Sequence, residues 1–291
     1  MPIVINTNMS ALRAQNALTR ASWSLNTSLE RLTTGNRINS AKDDPAGFYY
    51  AAGISSQIRG TSVAYNNVSL ANNMLATATG DLDSINNQIE RIKDLATQYA
   101  NETITEEEKA AIRDEVQQRI DEIDRIAEES KFNKLNLLDG SKSGPVRIQI
   151  GANSDPSTNA IYIEGVFEKA DSESLNLIGG SSKFATVSAA FASASAAAEF
   201  IDIAQASADM VTQRISKAGA YESRLSSVVD SLMIQNENLN SAYSTVVEAD
   251  IASETANFVQ NQLLMQTASA MLTQANQLDG VIALQLVNSL V

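Results

Sequence analysis

The chain has 291 residues, of which 44% are hydrophobic and only 5% aromatic, and it contains no Cys and no His. Disulfides, thiol nucleophiles, imidazole bases and zinc sites of the usual kind are thereby excluded. A formal net charge of −13 argues against nucleic acid as a partner.

The charge is unevenly spread. Residues 1–60 carry six basic side chains (Arg13, Arg20, Arg31, Arg37, Lys42, Arg59) against three acidic ones. Beyond Arg224 there are six carboxylates and no Lys or Arg. Such ends would attract each other, or a neighbouring copy. The opening MPIVINTNMSALRAQ has neither a basic n-region nor a long apolar stretch, so no secretory signal is expected. Without a run of about 18 apolar residues, no membrane span is expected either. Export from the cell would need another route.

From about residue 5 to 33 apolar residues repeat every seven positions. Ala11, Leu18, Leu25 and Leu32 form one row, and Ala14, Ala21 and Ser28 a second. This is a coiled-coil seam with small residues on one side. Gly35, free to adopt positive φ, marks its stop. The stretch NRINSAKDDPAGFYYAAG follows. Asp44 before Pro45 reads as an N-cap followed by proline at the first helical position. Asp43 and Asp44 both suit a positive helix N-terminus. Without His, Cys or a phosphate loop nearby, this Asp pair is cap and turn chemistry rather than a catalytic pair.

Val68, Ala71, Leu75, Ala78, Leu82, Ile85, Ile89, Ile92, Ala96 and Tyr99 step by three and four without a miss. They predict one helix over 45–100, about 80 Å long. Thr105 and Glu108 form a capping box. Behind it, Ile112, Val116, Ile120, Ile123 and Ala127 predict a helix folding back on the previous one. The acidic run on that helix is a solvated face, its acids too scattered to hold a metal. Val146, Ile148 and Ile150 alternate with polar residues, as do Ile161 and Ile163 beyond the turn-rich ANSDPSTN, so a β-hairpin is predicted near 145–167. Residues 168–184 read as loop, with Ser172, Ser174, Ser181 and Ser182 as possible glycan acceptors. Helical sequence resumes at about 185–198, with a seam through Val211, Ile215, Ala218, Leu225, Val229, Leu232, Leu239, Tyr243 and Val246. Glu222 and Asn236 interrupt it as register-fixing polar residues. A last helix over 252–289 uses Leu264, Ala268, Met271, Ala275, Leu278 and Ile282. Met265 and Met271 are packing residues rather than a cofactor box.

The fold class expected is mainly α: a long antiparallel helical bundle or coiled coil with a small β-hairpin, its terminal helices pairing as a coiled coil. The organisation is mirrored about the hairpin. The two terminal helices must bury their stripes, most economically on each other and on further copies. No nucleophile–base pair, phosphate loop or metal cluster can be assembled, so neither enzyme activity nor a cofactor is expected.

Several segments together resemble bacterial flagellin: VINTNMSALRAQNAL, SLERLTTGNRINSAKDDPAG, QIERIKDLATQYANET, DEVQQRIDEIDRIAEESKFNKLNLLDG, QIGAN and QTASAMLTQANQ. The resemblance covers residues 3–151 and about 205–291. It implies a subunit of a helical filament built from an inner D0 part and a surrounding D1 part, here without outer domains. Residues 1–44 would be the N-terminal half of D0 with its connector, 45–251 the D1 helical rod, and 252–291 the C-terminal half of D0. The connector would comprise Asn39, Asp43, Asp44, Pro45 and Gly47. Pro45 with FYYAAG, and Asp279-Gly280, depart from the family's usual residues.

The resemblance further implies export in unfolded form through the flagellar type III apparatus, assembly at the filament tip and a place outside the cell. The partners implied are other copies, an export chaperone on the C-terminal segment, and the filament cap and hook-filament junction proteins. A flagellin-sensing Toll-like receptor of animal hosts is also implied, with Arg91, Leu95, Glu115 and Arg119 matching the family's receptor motif. Nucleic acid and membrane are not expected partners. A hook-filament junction protein, which shares the terminal helices, is the alternative; a chemoreceptor-type bundle fits the hairpin and mirrored termini less well.

Overall fold

In the computed structural model the order of elements is α1 (Met9–Thr34), α2 (Pro45–Tyr99), α3 (Glu106–Glu129), β1 (Lys131–Phe132), β2 (Leu135–Asn136), β3 (Val146–Gln149), α4 (Pro156–Asn159), β4 (Ala160–Ile163), α5 (Val187–Ala190), α6 (Ala194–Val247) and α7 (Ile251–Ser289). The structure describes residues 7–289 apart from residue 143; in α7, side chains are described as far as residue 277 and at Val281. Among the described residues no helix is long and apolar enough to cross a membrane. The expected mainly helical architecture with a small hairpin is what is found, with α2 antiparallel to α6 and α1 antiparallel to α7.

The chain divides into two compact units, Met1–Ile58 with Asn238–Val291, and Arg59–Glu237. In the second unit all ten residues of the predicted α2 seam are buried, most of them completely. The five seam residues of α3 are buried as well. Along α2 the flank beside the seam meets α3 and β3. Gln88 accepts from Arg119, Asp81 accepts from Ser130, and Asn67 donates to the Gln149 carbonyl. The capping box forms as predicted: the Thr105 N–H donates to Glu108 Oε2 at 2.8 Å, and the Glu108 N–H to Thr105 Oγ1 at 3.3 Å. At the far end of α2 the buried Tyr99 hydroxyl donates to the Phe191 carbonyl at 2.5 Å and accepts from Arg113 at 2.9 Å. The Tyr99 ring stands edge-on to Phe191, centroids 5.0 Å apart.

The hairpin pairs β3 with β4 antiparallel in the register Val146↔Ile163, Ile148↔Ile161. Its connector contains one helical turn, α4, capped by Asp155. A smaller hairpin, β1–β2, was not predicted. Its turn residues Asn133 and Lys134 both have positive φ, 46° and 67°.

Residues 168–184 form no helix or strand, as predicted, yet they are packed. Leu175, Leu177 and Phe184 enter the core. Ser172 is buried, with its N–H donating to Asp124 Oδ1 at 2.7 Å and its hydroxyl to Oδ2 at 3.0 Å. Of the four serines singled out there as glycan acceptors, Ser172 is therefore committed to the fold.

Candidate functional site

In the first unit the paired terminal helices form one candidate surface. On α1, Ala11, Leu18, Leu25 and Leu32 are half-buried, Ala21 and Ser28 fully buried. The small-residue row is thus the deeper one, because small side chains let two helices approach closely. Asn8 caps α1 by accepting from the Ala11 N–H at 2.7 Å, and its amide donates to the Ala275 carbonyl at 3.1 Å. Near the other end Arg31 faces Glu254 at 3.6 Å. The α7 face that meets α1 runs through Glu254, Phe258, Asn261, Met265, Ala268, Leu272 and Ala275, the residues of that helix with the least exposure.

The α7 residues expected in the seam fall on two faces. Ala268 and Ala275 lie on the α1-facing stripe, but Leu264 and Met271 are 49% and 60% exposed at the rim of a groove between the two helices. Leu278 and Ile282 lie outside the residues whose side chains are described. The exposed set also includes Met9, Leu12, Trp23 and Leu29 on α1, and Ile251, Val259 and Leu263 on α7. So many large apolar side chains on one pair of helices mark an interaction surface.

The connector is built from caps. Gly35 ends α1 with φ 73°, its N–H donating to the Arg31 carbonyl at 2.8 Å. Asp44 starts α2, accepting from the N–H groups of Ala46 at 3.1 Å and Gly47 at 3.0 Å. Asp43 folds the preceding turn: its Oδ2 accepts from the N–H groups of Asn39 and Ser40 and from the Ser40 hydroxyl. These bonds, Ser40's first, hold its carboxyl below the usual range. Asn39 donates to the Asn36 carbonyl at 3.3 Å. A Cβ at Gly47 would lie 2.4 Å from Asp44 Oδ2 and 2.6 Å from Ile38 Cδ1, so a larger residue there would displace both side chains.

The sequence reading missed what this connector is tied to. Arg37 N–H donates to the Val247 carbonyl at 2.6 Å, and Ala249 N–H to the Gly35 carbonyl at 2.9 Å. These two bonds form an antiparallel bridge between Asn36 and Glu248. The Arg37 guanidinium donates to the Val246 carbonyl at 2.7 Å, capping the end of α6. Asp250 then caps α7 through the Ala252 N–H at 2.9 Å. Each of the four helix ends at this joint thus carries at least one capping bond.

In the second unit Arg91, Glu115 and Arg119 come together on the surface of α2 and α3. Arg91 lies 3.1 Å and Arg119 3.4 Å from Glu115. Leu95, expected beside them, is instead 2% exposed within the core. Among the described residues no group of three or more acidic side chains is arranged to hold a metal ion.

Known families match both halves of the chain. Residues 5–143 fit the bacterial flagellin N-terminal helical region, and residues 201–285 fit the C-terminal helical region. The flagellar filament 30.7 kDa core protein of Treponema maltophilum is 34% identical over 285 residues, covering 94% of this chain and 96% of that protein. A flagellin of Halalkalibacterium halodurans is 32% identical over 275 residues with the same coverage. The chain belongs to the bacterial flagellins. A solved structure assigned to a flagellar hook-associated protein of Vibrio parahaemolyticus covers 71% of this flagellin and all of itself, at TM-score 0.60 and 12% identity. That likeness shows a shared helical fold alone. As a flagellin with only the D0 and D1 parts, the chain is a structural subunit of the flagellar filament, which serves motility.

Proposed function

We propose that this flagellin polymerises through its terminal helix pair, with residues 1–44 and 252–291 forming D0 and residues 45–251 forming D1. The observation that carries this reading is the apolar stripe left open on that pair: Leu12, Trp23 and Leu29 on one helix, Val259, Leu263, Leu264 and Met271 on the other. One copy has no means of covering it. Repetition of a heterologous, non-closing contact yields an open helical filament in which every copy covers its neighbours. Before assembly the terminal segments bury too little to fold fully, so they order as they are added at the tip. Salt weakens the attraction between the basic N-terminal and acidic C-terminal segments, and hence slows assembly.

The terminal segments suit the other flagellar partners too. An export chaperone would take the C-terminal segment as an amphipathic helix in a groove, through Leu264, Met271, Leu272 and Leu278. The filament cap and junction proteins would meet the terminal helices at the two filament ends. Unfolded export would place the filament outside the cell. The Arg91–Glu115–Arg119 cluster, on an exposed face, is the part of D1 suited to an animal Toll-like receptor. Leu95 would support that face from inside rather than touch the receptor.

Negative-stain electron microscopy of the purified chain, before and after adding sheared filament ends, tests the proposal. Long uniform tubes are the expected outcome. Persistent monomers with competent seeds would overturn it and favour a junction protein.

A further inference from the structure

The α1–α7 seam poses a problem of register. Apart from Glu254 its facing residues are uncharged and at heptad spacing: Ala, Leu and Ser on α1, and Phe258, Asn261, Met265, Ala268, Leu272 and Ala275 on α7. A slip of one heptad would therefore place similar residues opposite one another. The contact of Asn8 with the Ala275 carbonyl discriminates weakly, since every residue of α7 carries a carbonyl. One contact across this seam is different in kind. Glu254 is 7% exposed, and Arg31 faces it at 3.6 Å.

We infer that the Arg31–Glu254 pair fixes the register of α1 on α7, acting as the positioning element for self-assembly of this chain. Among side chains beyond Arg224, only Glu254 and Asp279 bring a carboxylate to α7, and no cation lies there. Moving α7 by one heptad in either direction would set Glu254 beside Ser24 or Ile38, and Arg31 beside Asn261 or Val247. Each slipped register would part the buried Glu254 carboxylate from the Arg31 guanidinium that faces it here, which is disfavoured. The nearest other anion, Asp43, feels the Arg31 charge but forms no ion pair with it within 4 Å, and Asn39 and Ser40 already occupy one of its oxygens.

The pair is badly made for stability. Its separation is long, and Arg31 Nε is buried without an acceptor. A buried carboxylate facing a partly exposed guanidinium with a leftover donor contributes little net stabilisation, but leaving that carboxylate unpaired is costly. Specificity bought at some cost in stability is the known role of lone polar residues in coiled-coil seams. The consequence for assembly is direct. The exposed stripe of α1 and that of α7 form one continuous surface only in a single register, so copies seated on slipped pairs would present mismatched surfaces.

This inference rests on the polymerisation reading above, and the experiment separates the two. The chain has no cysteine, so an introduced pair reports register without background. Full-length chains carry Ala21→Cys with Asn261→Cys for the native register, and Ala14→Cys with Asn261→Cys or Ala21→Cys with Ala268→Cys for the slipped ones. Disulfide formation is read separately in the soluble chain and in the seeded polymer. With Arg31 and Glu254 intact, the native pair should cross-link in the seeded polymer and the slipped pairs should not. The apolar replacement R31M/E254L should raise the ratio of slipped to native cross-links at least about tenfold and slow growth on seeds. The charge reversal R31E/E254R should restore the native pattern; it also serves if the apolar variant does not fold. Unique native cross-linking in R31M/E254L, or no restoration by the reversal, would overturn the inference. Native cross-linking without polymer would sink the assembly reading and leave the register role intact.

Discussion

Replacing Gly47 by Ala should destabilise the connector, although alanine is the better helix former. Helix propensity alone would favour Ala by about 1 kcal/mol. Against this, the new Cβ would meet Asp44 Oδ2 at 2.4 Å and Ile38 Cδ1 at 2.6 Å. Ile38 is 6% exposed and has nowhere to swing. The carboxylate must therefore shift, which strains the bonds that its other oxygen, Oδ1, accepts from the Ala46 and Gly47 N–H groups. Loss of such a cap costs about 0.5–2 kcal/mol, and the remaining overlap with Ile38 about 1–3 kcal/mol. After subtracting the propensity gain, the net loss is roughly 0.5–4 kcal/mol. The cycle with Asp44→Ala makes the reasoning sharp. That variant alone should cost about 0.5–2 kcal/mol. In the double variant the carboxylate is absent, so its clash disappears and the cap cannot be lost twice. The double should then cost about 1 kcal/mol less than the two singles together. Urea unfolding followed by circular dichroism gives the energies, and limited proteolysis within residues 35–44 shows that the change is local. Strictly additive losses would refute the proposed coupling between cap and glycine.

Tyr99→Phe strips the buried hydroxyl from Phe191 and Arg113 and should lower stability by about 1–3 kcal/mol, read as a shift in the urea midpoint. The Glu108 carboxyl is held below its ordinary value of 4.5 by the bonds it accepts from the Thr105 N–H and hydroxyl. Its contribution is therefore complete above that ordinary value and fades as pH falls through the lower folded one. Amide exchange at the start of α3 should accelerate in that acid window, and Glu108→Gln, which cannot titrate, should abolish the dependence. Arg91→Ala breaks only an exposed ion pair and should change stability by about 1 kcal/mol or less. A Toll-like receptor reporter should nevertheless lose most of its response, and an unchanged response would remove this face as the receptor contact.

How much of this was legible in the sequence depended on whether one period or cap dominated locally. The α2 seam could be read residue by residue because its apolar positions never break step from Val68 to Tyr99. Thr105 with Glu108, and Asp44 with Pro45, were readable because a cap is a contact between neighbours in sequence. The bridge of Arg37 and Gly35 to residues 247–249 joins main-chain groups some two hundred residues apart and leaves no side-chain pattern. The β1–β2 turn was missed because Asn133-Lys134 lacks the glycine that ordinarily announces positive φ. Leu95 was read from a motif match, which says nothing of burial; it lies one heptad beyond Gln88 on α2 and is buried. The face of α7 was the hardest to read. Leu264 and Met271, Met265 and Leu272, and Ala268 and Ala275 are three adjacent heptad-spaced rows, all apolar, so hydropathy cannot choose between them. Glu254 could have chosen. A single carboxylate near the start of a segment devoid of cations needs a partner elsewhere, and counting heptads from it gives Asn261, Ala268 and Ala275, the row that meets α1. In a helix that is apolar on several faces, the rare charge carries more information about orientation than the abundant leucines do.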